Sequence, residues 1–192
     1  MSSSRVPAAA AAFPCTVSHP LSRIVAAGIA GALIIAAAGC SPGPSPAPTP
    51  TPAFTDEADA FAAAEKVYRA YNDALNARRQ GDVTADPQQY LTGAALEGDI
   101  ETQSLLASNQ LRAAGTAVLI TFAGESTNVD EGNGTVTGTV CVDASGVVLL
   151  TATGEDVTPP GRGEKIAQRI TFAGTSDTLL ISAEETGEGG SC

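Results

Sequence analysis

In the second half of this chain, near Gly115, the spacing of apolar residues changes from a helical to a strand pattern, and that change limits the folds that the chain can adopt. Before it, apolar residues recur at intervals of three and four, at Phe61, Ala64, Tyr68, Tyr71 and Leu75, which predicts one buried helical stripe. After it, β-rich segments alternate between apolar and polar residues. Helices followed by consecutive strands predict an α+β domain with an antiparallel sheet.

We expect the first helix to be capped by Thr55 and closed by Gly81. Asp86 and Pro87 open a short second helix, and residues 94–114 form a third, ended by Gly115. The inward residues predicted for the third helix are Leu96, Ile100, Ala107 and Leu111.

Five strands are predicted, at residues 116–122, 135–142, 147–153, 164–172 and 178–183. Val136, Val140 and Val142 should share one face of the second strand. Asn133-Gly134 is a dipeptide favoured in hairpin turns, and residues 143–146 form a second turn.

A signal peptide is predicted at the start of the chain, over residues 1–39. Arg23 precedes 15 uncharged, mostly apolar residues, 24–38. As a helix they would span about 22 Å, short of the roughly 30 Å of a bilayer core. Such a segment is typical of a signal peptide.

Small residues lead from the apolar segment to Cys40, and this run resembles the bacterial lipobox, although Ala37 stands where leucine is commonest. The resemblance implies a lipid such as palmitate on Cys40, cleavage before it, and a location on the extracytoplasmic face of the cell membrane. An ordinary secretory signal or an uncleaved anchor is the alternative. Cys15 is interpreted as an inert thiol of the leader.

A tether, residues 40–53, follows, with proline at every second position from Pro42 to Pro52. It should form an extended polyproline spacer of about 40 Å. A ligand for an SH3-like partner is the alternative, but the flanking basic residue of such ligands is missing. The domain is then assigned to residues 54–187, and a short tail to 188–192.

Charge and composition exclude several classes of function. Residues 1–39 contain Arg5 and Arg23 and no acid, which leaves 8 basic against 21 acidic residues and a net charge of −13 for the remainder. Such a domain is repelled by nucleic acid and by anionic lipid. The only histidine, His19, lies in the leader. If the leader is removed, Ser-His-Asp and Cys-His catalysis and histidine-ligated metal sites are excluded. We predict no cofactor and no metal.

The order of elements resembles the NTF2-like, or cystatin-like, α+β cone over residues 54–185. The likeness rests on the Tyr68–Tyr71 helix, the segment at residues 90–93, and the strand and turn at 140–143. It implies helices covering the concave face of a curved sheet. Similar small lipoproteins occur in actinobacteria, and the alanine-rich composition is typical of a high-GC genome.

Cys141 and Cys192 are the thiols that remain after the lipid site, and disulfides persist outside the cytoplasm. We predict a bond between them, with two free thiols as the alternative. The acidic, glycine-rich segment that contains Glu184, Glu185 and Glu188 is interpreted as a solvated tail.

The sequence contains no complete phosphate-binding or calcium-binding motif. Residues 161–165 lack the spacing of a phosphate-binding loop, and Thr139 stands where a calcium loop needs glutamate. Asp143 is the one candidate catalytic acid, although an aspartate that begins a turn more often bonds the backbone. Tyr68, Tyr71 and Tyr90 are candidate pocket residues, with a core role as the alternative.

The sequence therefore favours a surface-anchored, non-enzymatic module that binds a small apolar ligand or an envelope protein, and no nucleic acid. The resemblance also permits an isomerase- or dehydratase-type enzyme that uses Asp and Tyr. An accessory immunity or inhibitor lipoprotein is a third hypothesis, without local support.

Overall fold

The computed structural model describes residues 53–130, 133–186 and 192. The predicted signal peptide, the predicted lipid site at Cys40 and most of the predicted tether lie outside these residues. Two α-helices, α1 (Glu57–Arg79) and α2 (Gly93–Ser108), precede six strands, and a 3₁₀ helix, Pro87–Tyr90, lies between the helices. The strands are β1 (Leu111–Gly115), β2 (Val118–Asp130), β3 (Asn133–Asp143), β4 (Val147–Thr151), β5 (Lys165–Gly174) and β6 (Leu180–Thr186).

The strands form two antiparallel sheets, one in the order β2-β3-β5-β6 and a smaller one that pairs β1 with β4. Register shifts occur in the β2–β3 pair and in the β5–β6 pair, and such irregularities bend a sheet. The predicted α+β class is confirmed, with N-terminal helices on an antiparallel sheet, as the NTF2-like resemblance implies.

The core lies between α1 and the larger sheet. Ala60, Ala64, Tyr68 and Tyr71 of α1 are buried. The strands contribute Val136, Val140, Ile170, Phe172 and Ile181, all with no exposed surface. Val142 is buried as well, so the predicted apolar face of β3 is confirmed.

The ends of α1 differ slightly from the prediction. Asp56, not Thr55, caps the helix, because its Oδ1 accepts a hydrogen bond from Asp59 N at 2.8 Å. At the other end Gly81 adopts a φ of +91°. Gly81 N and Asp82 N donate to the carbonyls of Arg78 and Ala77, which completes the predicted glycine stop.

The third predicted helix is too long. It ends at Ser108, because Asn109 donates to Leu105 O through both its backbone and side-chain nitrogens and Gln110 turns the chain at a φ of +57°. Leu111 and Gly115 therefore belong to β1, which pairs with β4. Ile100, predicted to face inward, is 50% exposed. Ala107 is exposed as well, but it faces the space between α2 and the sheets as predicted.

The prediction that Asn133-Gly134 forms the hairpin turn is also wrong. A hairpin does join β2 to β3, but Asn133 pairs with Asp130 and so already lies in the ladder. Residues 131 and 132, between the two strands, lie outside the described residues. Gly134 instead lets Phe54 pack on the strand, since a Cβ there would lie 2.4 Å from the Phe54 ring.

Candidate functional site

A cavity of about 670 Å³ lies between α1, α2 and the two sheets. Its apolar wall includes Leu75, Leu106, Leu111, Val142, Ile166 and several alanines. Its polar side chains include Tyr68, Tyr71, Asn72, Arg78, Arg79, Asp99, Arg112, Gln168, Glu184 and Glu185. The helices α1 and α2 therefore cover the sheets without filling the space between them.

Two of the three predicted pocket tyrosines line this cavity. Tyr68 and Tyr71 pack edge to face, with ring centroids 5.9 Å apart. The Tyr68 hydroxyl donates to Gln168 Oε1 at 3.5 Å, and the Tyr71 hydroxyl donates to Glu184 Oε2 at 3.4 Å. Both distances are long for O–H···O bonds, so a ligand group could replace either partner at little cost.

Burial raises the pKa of both tyrosines well above the ordinary value, and the nearby charge of Glu184 raises them further. Both hydroxyls are therefore protonated at neutral pH and act as hydrogen-bond donors. Tyr90 does not line the cavity. It is half-buried and packs against the core from the 3₁₀ helix.

Glu184 is the carboxyl group that contacts Tyr71 in the site, and sequence analysis missed it. It was assigned to a solvated tail, but β6 continues to Thr186 and pairs Glu184 with Ile170 of β5. Burial raises the pKa of Glu184, the Tyr71 hydroxyl lowers it in part, and the charge of Asp99 raises it. The missed signal was the extension of the strand beyond Ala183 into an acidic segment.

Asp143 occupies a different place from the one that a catalytic acid would need. It ends β3, is not among the residues that line the cavity, and accepts a hydrogen bond from Ser145 N at 2.9 Å. Hydrogen bonds from Ser145 hold the pKa of Asp143 below its usual value. This is the turn-stabilising role that the sequence offered as its alternative.

An ion pair closes the helical side of the cavity. Arg78 of α1 donates to both carboxylate oxygens of Asp99 in α2, at 3.0 and 2.6 Å, and Gln88 donates to Asp99 Oδ2 at 3.0 Å. Burial opposes ionisation of Asp99, but the hydrogen bonds from Arg78 and Gln88 outweigh it and hold its pKa below the usual value. Bidentate geometry fixes both side chains.

A second polar network anchors α1 to the start of β2. Asn76 Oδ1 accepts from Ala117 N at 2.8 Å, and Asn76 Nδ2 donates to Ala117 O at 2.8 Å. Asn72 Nδ2 also donates to Ala117 O, at 3.2 Å. Arg79 Nη1 donates to Asn76 Oδ1 at 3.0 Å, so this network positions a second arginine at the cavity.

The predicted disulfide is present. Cys141 and Cys192 are bonded, with their Cα atoms 5.7 Å apart and 51 positions apart in sequence. Because side chains alternate along a strand, Cys141 points away from the face that carries Val140 and Val142. The bond therefore holds the last residue on the side of the sheet opposite the cavity.

Within residues 53–130 and 133–186, no group of three or more acidic, cysteine or histidine side chains is arranged to hold a metal ion. No helix in this part of the chain is both long and apolar enough to cross a membrane.

No protein-family model matches the sequence, and no curated protein matches it significantly. Among solved structures, the chain is similar to the intermembrane space region of the chloroplast protein ARC6, with 12% sequence identity and a TM-score of 0.46. The match covers 66% of this chain and 95% of the ARC6 chain.

Glu184 should make stability depend on pH. Since its folded pKa is raised, its contribution is fully present below the ordinary value of 4.5 and is lost as the pH rises through the raised folded pKa. Above that range the buried carboxyl is ionised, and the folded state carries the cost of its lost hydration. Glu184→Gln should therefore match the wild type at low pH and become more stable than it at neutral pH.

Urea unfolding across this pH range tests the expectation, with Glu185→Gln as the control because Glu185 is the exposed neighbour. Equal pH slopes for the wild type and Glu184→Gln would show that the carboxyl is solvated.

Proposed function

We propose that this chain is an exported lipoprotein whose domain binds a small, largely apolar molecule in the cavity, on the extracytoplasmic face of the membrane. The supports for export and anchoring are the leader and the small residues before Cys40. The support for ligand binding is the cavity itself. Its volume of about 670 Å³ falls within the roughly 300–1,000 Å³ of small-molecule sites.

The composition of the wall agrees with this proposal. Small-molecule sites are mostly apolar, with a few polar groups that orient the ligand. Here leucines, valine, isoleucine and alanines form the wall, and two protonated tyrosines with a partly buried carboxyl group provide directional contacts. A filled cone would instead favour a role in protein contacts alone.

Gly98 offers a way to close the cavity without disturbing its walls. It lies in α2 and lines the cavity, and no heavy atom lies within 4 Å of a Cβ built there. Gly98→Phe should fill part of the space, whereas Gly98→Ala should leave it open. Binding of the neutral dye Nile red to the full chain, followed by fluorescence, should be weakened in Gly98→Phe and retained in Gly98→Ala. Unchanged binding in Gly98→Phe would refute a ligand site in the cavity.

The control variant Gly98→Ala should also be more stable than the wild type. Alanine is favoured over glycine in a helix by about 0.8–1.0 kcal/mol. The site has room for a methyl group and no positive φ. Gly98→Ala should therefore raise the free energy of unfolding by up to about 1 kcal/mol in urea titrations. A loss of stability would mean that the space beside Gly98 is occupied.

The lipid anchor is tested separately. Labelling with palmitate should reach the wild-type protein and fail in Cys40→Ser, which should also leave the membrane fraction. Cys15→Ser is the matched control. Labelling that persists in Cys40→Ser would show that Cys40 is not the lipidated residue.

The contact between Glu184 and Tyr71 favours a second candidate, an isomerase- or dehydratase-type enzyme. A partly buried carboxyl group with a raised pKa can move a proton, and a protonated tyrosine can stabilise charge on a substrate carbonyl. Glu184 replaces Asp143 in this hypothesis. Turnover of a β-hydroxy or enolisable carbonyl compound that is lost in Glu184→Gln and kept in Asp143→Asn would favour the enzyme over the binding module.

A further inference from the structure

The domain is acidic, but its cavity is lined by as many arginines as acidic residues, three of each. Only 8 basic residues follow the leader. Three of them, Arg78, Arg79 and Arg112, line the cavity. Arg78 is neutralised by Asp99 at 2.6 Å. Neither Arg79 nor Arg112 forms an ion pair with any of the residues that the structure describes.

A hydrogen bond holds the Arg79 side chain in place. Its Nη1 donates to Asn76 Oδ1 at 3.0 Å, and that oxygen also accepts from Ala117 N. A guanidinium has five N–H donors in a planar fork, which suits a carboxylate that accepts two of them. The bond to Asn76 uses one donor and fixes the plane of the fork.

The surroundings of Arg79 favour an anion there. Burial lowers the pKa of Arg79, which means that the guanidinium has lost part of its hydration. Tyr71 and Asp99 raise this pKa in part, and the charge of Arg78 lowers it. A partly buried charge is stabilised when it finds a counter-ion. Arg112 is exposed and adds positive charge at the edge of the same cavity.

The acidic groups of the cavity set the charge of that anion. Glu184 and Glu185 also line the space, and Asp99 is already paired. A ligand with one negative charge would meet less repulsion from these carboxyl groups than a phosphate dianion would. Leu75 lies one helical turn before Arg79 on α1, so an apolar body can continue from the charged end.

We propose that the cavity binds a small organic acid, with its carboxylate on Arg79 and its apolar body against Leu75, Leu106 and Ile166. This inference rests on the proposed ligand-binding function and specifies the chemical class of the ligand.

The test compares three probes of equal chain length: octanoate, octan-1-ol and octylammonium. Titration calorimetry on the full chain should show octanoate binding at least about tenfold more tightly than the alcohol, because only the acid can form a charge-assisted, bidentate contact with a guanidinium. Octylammonium should bind most weakly. Arg79→Gln should abolish the preference for the acid, and Arg79→Lys should keep part of it. Arg69→Gln, on the same helix but outside the cavity, should change nothing.

Each outcome bears on one proposal. Equal binding of acid and alcohol to the wild type, or an unchanged preference in Arg79→Gln, would overturn the inference about the acid. If all three probes bind Gly98→Phe as they bind the wild type, the cavity itself is not the site and the proposed function fails. Inhibition of octanol binding by inorganic phosphate at lower concentration than by acetate would overturn the carboxylate in favour of a phosphate ligand.

Discussion

Replacing Cys141 and Cys192 together by alanine should lower the free energy of unfolding by about 4 kcal/mol. The bond joins residues separated by 51 positions, and closing a loop of that length restricts the unfolded chain by roughly this amount. Cys141 is buried at 4% exposure, so the loss of its sulfur adds a small packing cost.

Guanidinium titrations of the wild type with and without reductant, and of the double variant, would measure the effect. Reduced wild type and the double variant should unfold at similar denaturant concentrations, and reductant should not affect the variant. If reduction leaves the wild-type midpoint unchanged, the cross-link does not contribute to stability.

Phe172→Ala should destabilise the domain by about 3–5 kcal/mol. Phe172 has no exposed surface, lies on β5 beside Val136 of β3, and meets Phe122 edge to face with centroids 6.2 Å apart. Its removal would open a hole between the sheet and α1. Phe172 belongs to the same buried core as Tyr68 and Tyr71, which line the cavity.

Urea unfolding at neutral pH checks the magnitude. Val83→Ala is the matched control, since Val83 is 96% exposed and its truncation should change stability by less than about 0.5 kcal/mol. A loss below about 1 kcal/mol in Phe172→Ala would indicate that the aromatic ring is not in the core.

The elements that sequence analysis located well are those with a strong local pattern. The stripe of α1 and the alternating valines of β3 each determine a buried face without reference to distant residues. The end of α2 was misplaced because Leu111 and the alanines beside it fit a helix as well as a strand. Pairing with β4, which lies later in the chain, decides between the two.

The site was predictable only in part, for a similar reason. Tyr68 and Tyr71 belong to the α1 stripe, so their position followed from helical spacing. Glu184 lines the cavity because its strand pairs with β5. From sequence alone, acidic residues near a glycine-rich terminus suggest a solvent-exposed segment. The role of Arg79 depends on Asn76 and Ala117, which lie 41 positions apart, and no local pattern records that contact.

Ligand binding in the cavity between α1 and the sheets can be followed residue by residue in a methyl NMR titration of the full chain with octanoate. The signals of Leu75, Leu106 and Ile166, which line the cavity, should shift and saturate together. Those of Ile100 and Leu105, exposed on the outside of α2, should stay in place. Shifts confined to Ile100 and Leu105, or none at saturating octanoate, would show that the cavity does not bind the ligand.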